Sequence, residues 1–347
     1  MTRKSYVTLD DIAKTLNVSK VTASKALRGH PDISEETRRL VKKAALELGY
    51  TPNFAARNLS SKRSSTIGVI IPKIAHSFFG SVVEAIYDAA FDNNYDIALT
   101  VSQENAEREQ RHVETLLGMG VDGIIVSVSQ DTKGGAIFQK VLKRKVPLVF
   151  IDRVLDIKGT SQVTVDDKGG AFKAVELAIK NGNTKIAHFA GYKNISIGWN
   201  RYLGFEDAMR QYKIPVNPKW VIFGGFSEDY GYEGIMKLYR ERLLPEFVFA
   251  VTYPVALGIY DAVTELGMKI PDDLDVICFG TSNVSRFIKP ELSYVQQPTA
   301  LLGKTAVDLI LEQIRKGDER ADQSIQLPTE LILRDTCIVR KGRARSR

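Results

Sequence analysis

The sequence predicts a small all-α helix-turn-helix head followed by a much larger two-lobed α/β domain. Three observations carry that expectation. Residues 8–48 place apolar side chains at helical spacing between good capping residues. From residue 66 onward, Val/Ile-rich runs alternate with helical stretches, the mark of parallel strands covered on both faces. The alternation then restarts at a helix over 169–181, which calls for a second sheet.

In the head, Thr8 can cap a first helix, with Asp11 placed close to a capping-box arrangement. Asp10 and Asp11 add negative charge at the positive end of that helix. Leu9, Ile12, Ala13 and Leu16 make one apolar face, and Asn17-Val18 breaks the pattern. Ser19 can cap a second helix, on which Ala23, Ala26 and Leu27 face inward. Lys20, Val21, Thr22 and Lys25 are left outward near its start, where base edges are met in helix-turn-helix modules. Ser34 caps a third helix, with Leu40, Val41, Ala44 and Leu48 on one face and Gly49 as its stop. The polar stretch 60–65, SSKRSS, reads as a linker.

The α/β part reads as strand 66–72, helix 78–91, strand 95–101, helix 106–119, strand 123–128, helix 137–143 and strand 147–152. The second series is helix 169–181, strand 185–190, helix 199–212, strand 220–224, helix 230–241, strand 247–251, helix 255–266 and strand 275–279. A late helix 300–315 and a strand 330–333 remain. One motif is set aside. Gly118, Gly120 and Gly123 match G-x-G-x-x-G, but that fingerprint must follow a strand and open a helix. Here it closes a helix and opens a strand, so it serves as a helix stop and a turn.

Composition excludes several classes. With 44% hydrophobic and 26% charged residues the chain is ordinary for a soluble globular protein. No apolar run reaches membrane-spanning length, and no apolar signal core opens the chain, so a cytoplasmic location is expected. Cys278 and Cys337 sit in apolar, strand-like runs and read as buried small hydrophobes. The four histidines form no metal cluster, and there is no P-loop, GxSxG elbow or HExxH. No catalytic residue, metal or cofactor is expected. Charge is divided unevenly: residues 1–66 hold 13 Lys/Arg against 6 Asp/Glu, 67–339 hold 30 against 35, and 340–347 hold 5 basic and no acidic residues. A basic head on an acidic body suits a phosphate-binding module attached to something else.

Specific stretches go further. VTLDDIAKTLNVS, the register of Thr22, Ser24 and Leu27, ISEETRRLVKKAALELGYTPN, and ARNL at 56–59 resemble the lactose-repressor (LacI) family of bacterial transcription regulators. The resemblance continues to Leu333-Arg334-Asp335 and so covers nearly the whole chain. It implies a helix-turn-helix domain at 1–51, a hinge helix and linker at 52–65, a periplasmic-binding-protein-like (type I) effector and dimerisation domain at 66–339, and a basic tail at 340–347. Lobe 1 would hold about 66–163 and 295–327, and lobe 2 about 164–293 and 328–339, with crossings near Val163, Tyr294 and Pro328.

The same resemblance implies a homodimeric repressor on a pseudo-palindromic operator in double-stranded DNA, controlled by a sugar-related effector. It would be cytoplasmic, and nucleoid-associated when bound. DNA contacts would come from Thr8, Ser19, Lys20, Val21, Thr22, Ser24 and Lys25, with Asn53, Ala56, Arg57 and Leu59 in the hinge. Leu59 would be the minor-groove wedge. Effector contacts would come from His76, Phe79, Asp152, Arg201, Thr252, Gly280 and Gln297, with Arg201 as main anchor.

Two departures stand out. Cys278-Phe279-Gly280 replaces the family's Gly-Phe/Tyr-Asp, and Thr252-Tyr253 replaces its Asn-Asp. A cleft keeping Arg153 and Arg201 but losing an acid would be more positive than the family norm, pointing to an anionic effector such as a sugar acid or sugar phosphate. A ligand-independent regulator, a ligand-binding receptor and an α/β enzyme are the rival readings. The DNA head and the lack of a catalytic constellation weigh against the last two.

Overall fold

Thr8 sets the first helix through reciprocal bonds. Its hydroxyl accepts from Asp11 N at 3.4 Å, and its own N–H donates to Asp11 Oδ2 at 2.8 Å. This is the expected capping box. Helix α1, Leu9–Thr15, gives way at Asn17, which has φ +50°, to α2, Lys20–Leu27, capped by Ser19 Oγ. Helix α3, Glu35–Leu48, is capped by Ser34 and ends at left-handed Gly49. Ile12, Ala13, Ala23, Ala26, Val41, Ala44 and Ala45 form the core of this unit. The face of α3 differs from the expected one: Leu40 and Leu48 are 43% and 36% exposed, and Ala45 is buried in their place. Alanines from α2 and α3 let three short helices approach closely, which leaves no room at the centre for a third large side chain.

A computed structural model describes residues 7–51, 63–280, 285–319 and 321–338. The chain divides into two units, Met1–Ser64 and Ser65–Arg347. The expectations for the hinge residues Asn53, Ala56, Arg57 and Leu59, and for the tail 340–347, lie outside the described residues.

In the second unit, strands β1 (Thr66–Ile71), β2 (Asp96–Val101), β3 (Gly123–Val126), β4 (Leu148–Ile151) and β5 (Ser161–Val165) belong to one sheet with β11 (Ser324–Leu327). Strands β6 (Ile186–Ala190), β7 (Val221–Phe223), β8 (Phe247–Ala250), β9 (Asp275–Phe279) and β10 (Ser293–Gln296) form the other with β12 (Glu330–Ile332). The orders are β11-β5-β4-β3-β1-β2 and β12-β10-β9-β8-β6-β7. All pairs are parallel except β10 with β12. Every residue of β3, β4, β6, β8 and β9 is buried, which is why these strands read as unbroken apolar runs.

Strands β5, β10 and β11 escaped the sequence reading. They lie towards the sheet edges, and β5 and β10 bury only alternate residues while β11 buries only Leu327, so they lack the continuous apolar signal. Because β5 runs to Val165 and β10 to Gln296, the chain passes between sheets at Asp166, at Gln297-Pro298 and at Pro328-Thr329. Gly120, at φ +71°, stops the helix Ala106–Met119, and Gly123 opens β3, so the G-x-G-x-x-G match is a turn. Cys278 lies in β9 and Cys337 in a bend after β12, both buried and neither in a disulfide. Cys337 departs from its expected strand-like setting because the chain turns back at Asp335-Thr336, where the Thr336 hydroxyl donates to Val276 O.

Candidate nucleic-acid interface and ligand cleft

On the head, Lys20 and Val21 are exposed, Val21 by 63%, whereas Thr22, Ser24 and Lys25 are half-buried. Thr8 and Ser19 are exposed but already employed. Thr8 is held in its capping box, and Ser19 Oγ accepts from Thr22 N at 2.9 Å and pairs with the Thr22 hydroxyl. The two lysines are held as well. Lys20 Nζ donates to Asp10 Oδ2 at 2.9 Å, and Lys25 Nζ to Asp32 Oδ2 at 2.5 Å, with His30 Nδ1 on the other Asp32 oxygen. The ammonium of Lys25 foremost, and His30 after it, hold the Asp32 carboxyl below its usual range. Asp10, His30 and Asp32 were absent from the expected interface. Only the tertiary approach of the two helices, and the turn after α2, bring them beside the lysines.

In the second unit, His76, Phe79, Asp152, Arg201, Thr252, Gly280 and Gln297 all line one cavity of about 60 Å³. It lies between the two sheets, beyond the carboxyl ends of β1, β4, β8, β9 and β10, where open parallel sheets place their ligands. Helices starting at Ser77, Ser196 and Tyr253 have their first turns beside it. The sequence named Phe78, Tyr253 and Phe279 only as neighbours of the expected contacts, and Ile197 and Phe226 not at all; these five supply most of the apolar wall. Position at a strand end or in a first helical turn was the available signal for four of them, whereas Phe226 lies in the loop between β7 and the helix that starts at Glu228.

Arg201 is 1% exposed. Its Nε donates to Asp167 Oδ1 at 2.8 Å, its Nη1 to Val251 O at 2.6 Å, and its guanidinium lies 3.7 Å from the centre of the Phe279 ring. Burial raises the Asp167 carboxyl above its usual value, and Arg201 opposes that rise. Arg153, 3% exposed, gives Nη1 to both oxygens of Glu104 at 3.0 and 2.7 Å, and lies 4.9 Å from the Phe226 ring centre. Its Nε is buried without a hydrogen-bond partner among the described residues. The surplus of positive charge expected from these two arginines is therefore absent, because each has its own buried carboxylate.

Asp152 is the exception among the lining charges. It sits at φ +58°, and its carboxyl has no hydrogen-bond partner among the described residues. Burial pushes its pKa up to about 7 against the pull of Arg153 and Arg201. Burial, then Lys73 and Arg153, lowers His76 from its ordinary value and favours the neutral ring. Gly280, at φ +78°, carries no side chain where a Cβ would meet Gln297 Oε1 at 2.9 Å, so no carboxylate fits there unless Gln297 moves. Val154 N donates to Ser196 Oγ at 3.1 Å and Asn194 Nδ2 to Gln130 O at 3.0 Å, joining the two lobes. Among the described residues no group of His, Cys, Asp and Glu could hold a metal ion, and no helix is long and apolar enough to cross a membrane.

Residues 8–53 match the model of bacterial regulatory proteins of the lacI family, and residues 175–337 match a periplasmic binding protein-like domain. The chain is 32% identical to catabolite control protein A of Priestia megaterium, over 95% of this chain and 99% of that protein. A lac repressor dimer, solved bound to operator and the anti-inducer ONPF, superposes with a TM-score of 0.84 at 26% identity, covering 96% of this chain and 100% of the other. The transcriptional regulator CelR in its cellobiose complex gives 0.73 at 25% identity, covering 95% and 99%. With a capped helix-turn-helix head, two mostly parallel sheets around one cleft and likeness along nearly its full length, the chain belongs to the LacI family of bacterial regulatory proteins and is a DNA-binding transcription regulator, not an enzyme.

Proposed function

We propose that this chain is a cytoplasmic, homodimeric repressor whose affinity for a pseudo-palindromic operator is set by a small sugar-type ligand held between its lobes. Each head, residues 1–51, takes one half-site, with Lys20, Val21 and Lys25 towards the bases. The hinge and linker of 52–65 supply Asn53, Ala56 and Arg57 to the backbone and Leu59 as a wedge in the minor groove. The domain of 66–339 pairs the two copies, and occupancy of its cleft favours one lobe arrangement over another.

The observation that carries the ligand reading is the convergence of seven separately placed residues on one cavity, with Asp152 facing it unpartnered. Because Arg153 and Arg201 are already neutralised, the cleft favours an uncharged, hydroxyl-bearing ligand that donates to Asp152 over an anionic one. The aromatic walls suit the apolar face of a sugar ring. A cavity of about 60 Å³ admits only a few water-sized groups, so the lobes part to accept a sugar.

A thermal-shift panel of neutral sugars, sugar acids and sugar phosphates tests this, since a ligand bound by the folded state alone raises the unfolding temperature. A neutral sugar should raise it and change the gel-shift affinity for selected operator fragments. A response confined to the acids or phosphates would overturn the neutral reading. No response with intact DNA binding would leave a ligand-independent regulator.

A further inference from the structure

We propose that Asp10 and Lys20 read one G·C base pair together, with guanine under Lys20 and cytosine under Asp10. This rests on the head being the DNA reader. Asp10 does not serve the helix cap, because Thr8 and Asp11 complete that box between themselves. Its one partner among the described residues is Lys20, at 2.9 Å, and the two side chains are 51% and 59% exposed. A carboxylate on a face that meets phosphates is repelled by them unless it holds a cation or accepts from a base. Asp10 has the cation, and it presents an acceptor.

The geometry matches a base-pair edge. Guanine O6 and cytosine N4 are themselves hydrogen-bonded in the duplex, so they lie about 2.9 Å apart. Each keeps a free valence towards the major groove: a lone pair on O6 and an N–H on N4. A donor nitrogen and an acceptor oxygen held 2.9 Å apart can engage both at once. Lys20 then donates to O6 and N7, and Asp10 accepts from N4.

Lysine alone would also take thymine O4 or a phosphate, and a carboxylate alone would also take adenine N6. The pair removes that ambiguity. Its nearest competitor is T·A in the same orientation, with O4 under Lys20 and N6 under Asp10. There, adenine N7 faces the carboxylate, and Lys20 loses its second acceptor.

Binding-site selection with the full-length protein tests this. The wild type should prefer G·C at one position of each half-site by about tenfold over other pairs. Asp10→Ala should lose that preference while binding random DNA at least as tightly, and Asp10→Asn should move it towards adenine. Lys20→Ala should relax the same position, with the double variant no worse than either single one. If Asp10→Ala raised affinity on all sequences and kept the motif, the carboxylate would be a charge balance only, and the proposal would fall. A wild type that enriched no motif would overturn the DNA-reading role of the head along with it.

Discussion

Charged pairs do opposite work in the two units of this protein. On the head, Lys20–Asp10 is exposed and Lys25–Asp32 about half so, whereas in the cleft Arg153–Glu104 and Arg201–Asp167 are almost fully buried. An exposed pair is screened and contributes little to folding, so its groups can take up contacts with DNA at low cost. A buried pair has given up its hydration, and losing one member strands the other. Burial, more than charge count, therefore separates groups free to recognise a ligand from groups that hold the walls of a site. Asp152 belongs to neither class: it is buried and lacks a hydrogen-bonded cation, which makes it the cleft group most open to a ligand.

The largest expected effect comes from breaking the buried pair. Arg201→Ala should destabilise the protein by about 3–5 kcal/mol, because Asp167 loses its cation. Urea unfolding of the full-length chain measures this, with Lys20→Ala as the exposed comparison that should leave the midpoint nearly unchanged. Any loss of ligand response in Arg201→Ala is then mixed with loss of fold. Arg201→Lys, which keeps a charge for Asp167, is the variant that isolates binding. An Arg201→Ala protein as stable as the wild type would erase the contrast between the two units.

Glu104→Gln should cost less, about 2 kcal/mol, since the amide oxygen still accepts from Arg153 although the charge is gone. The ligand response should then tilt towards anions, because Arg153 is no longer neutralised. An unchanged profile in the thermal-shift panel would show that Arg153 does not face the ligand.

Asp152 gives a pH signature. Its pKa rises from an ordinary 3.8 to about 7 in the folded protein, so the native state holds its proton more tightly than the unfolded chain. The associated stability is complete below about pH 4 and is lost as pH rises through about 7. Relative to Asp152→Asn, the wild type should lose up to a few kcal/mol between pH 5 and 8, within the roughly 1.4 kcal/mol per unit that linkage allows. Parallel pH profiles of the unfolding temperature for the two proteins would disprove the shift.

The smallest effect sharpens the exposed side. Asp32→Asn should free Lys25, raise affinity for random DNA several-fold and steepen the salt dependence by about one unit. Stability should hardly move. A variant with unaltered salt dependence would mean that Lys25 never reaches a phosphate.

Much of the fold was legible in the sequence. Capping residues, helical spacing and the fully buried strands announced themselves because local propensity and burial agree there, as at Thr8-Asp11 and in β8 and β9. Where burial is alternate, as in β5 and β10, or confined to one residue, as in β11, the pattern is too weak to read alone, and pairing with a neighbouring strand decides. The cleft residues could be named one by one from motif positions. Their joint meaning could not be read the same way.

Sequence by itself determined that the chain has a basic helix-turn-helix head, a doubled α/β body and the family they indicate. Tertiary structure alone decided the electrostatics. Glu104 and Arg153 are 49 positions apart, and Asp167 and Arg201 are 34. Only the folded strands and helices bring each carboxylate to its arginine and turn an apparent positive cleft into a balanced one. Folding likewise set Asp10 against Lys20 and left Asp152 without a hydrogen-bond partner among the described residues. Side-chain charge is a local property, but its partner and its solvation are not, and those two determine what a charge can do.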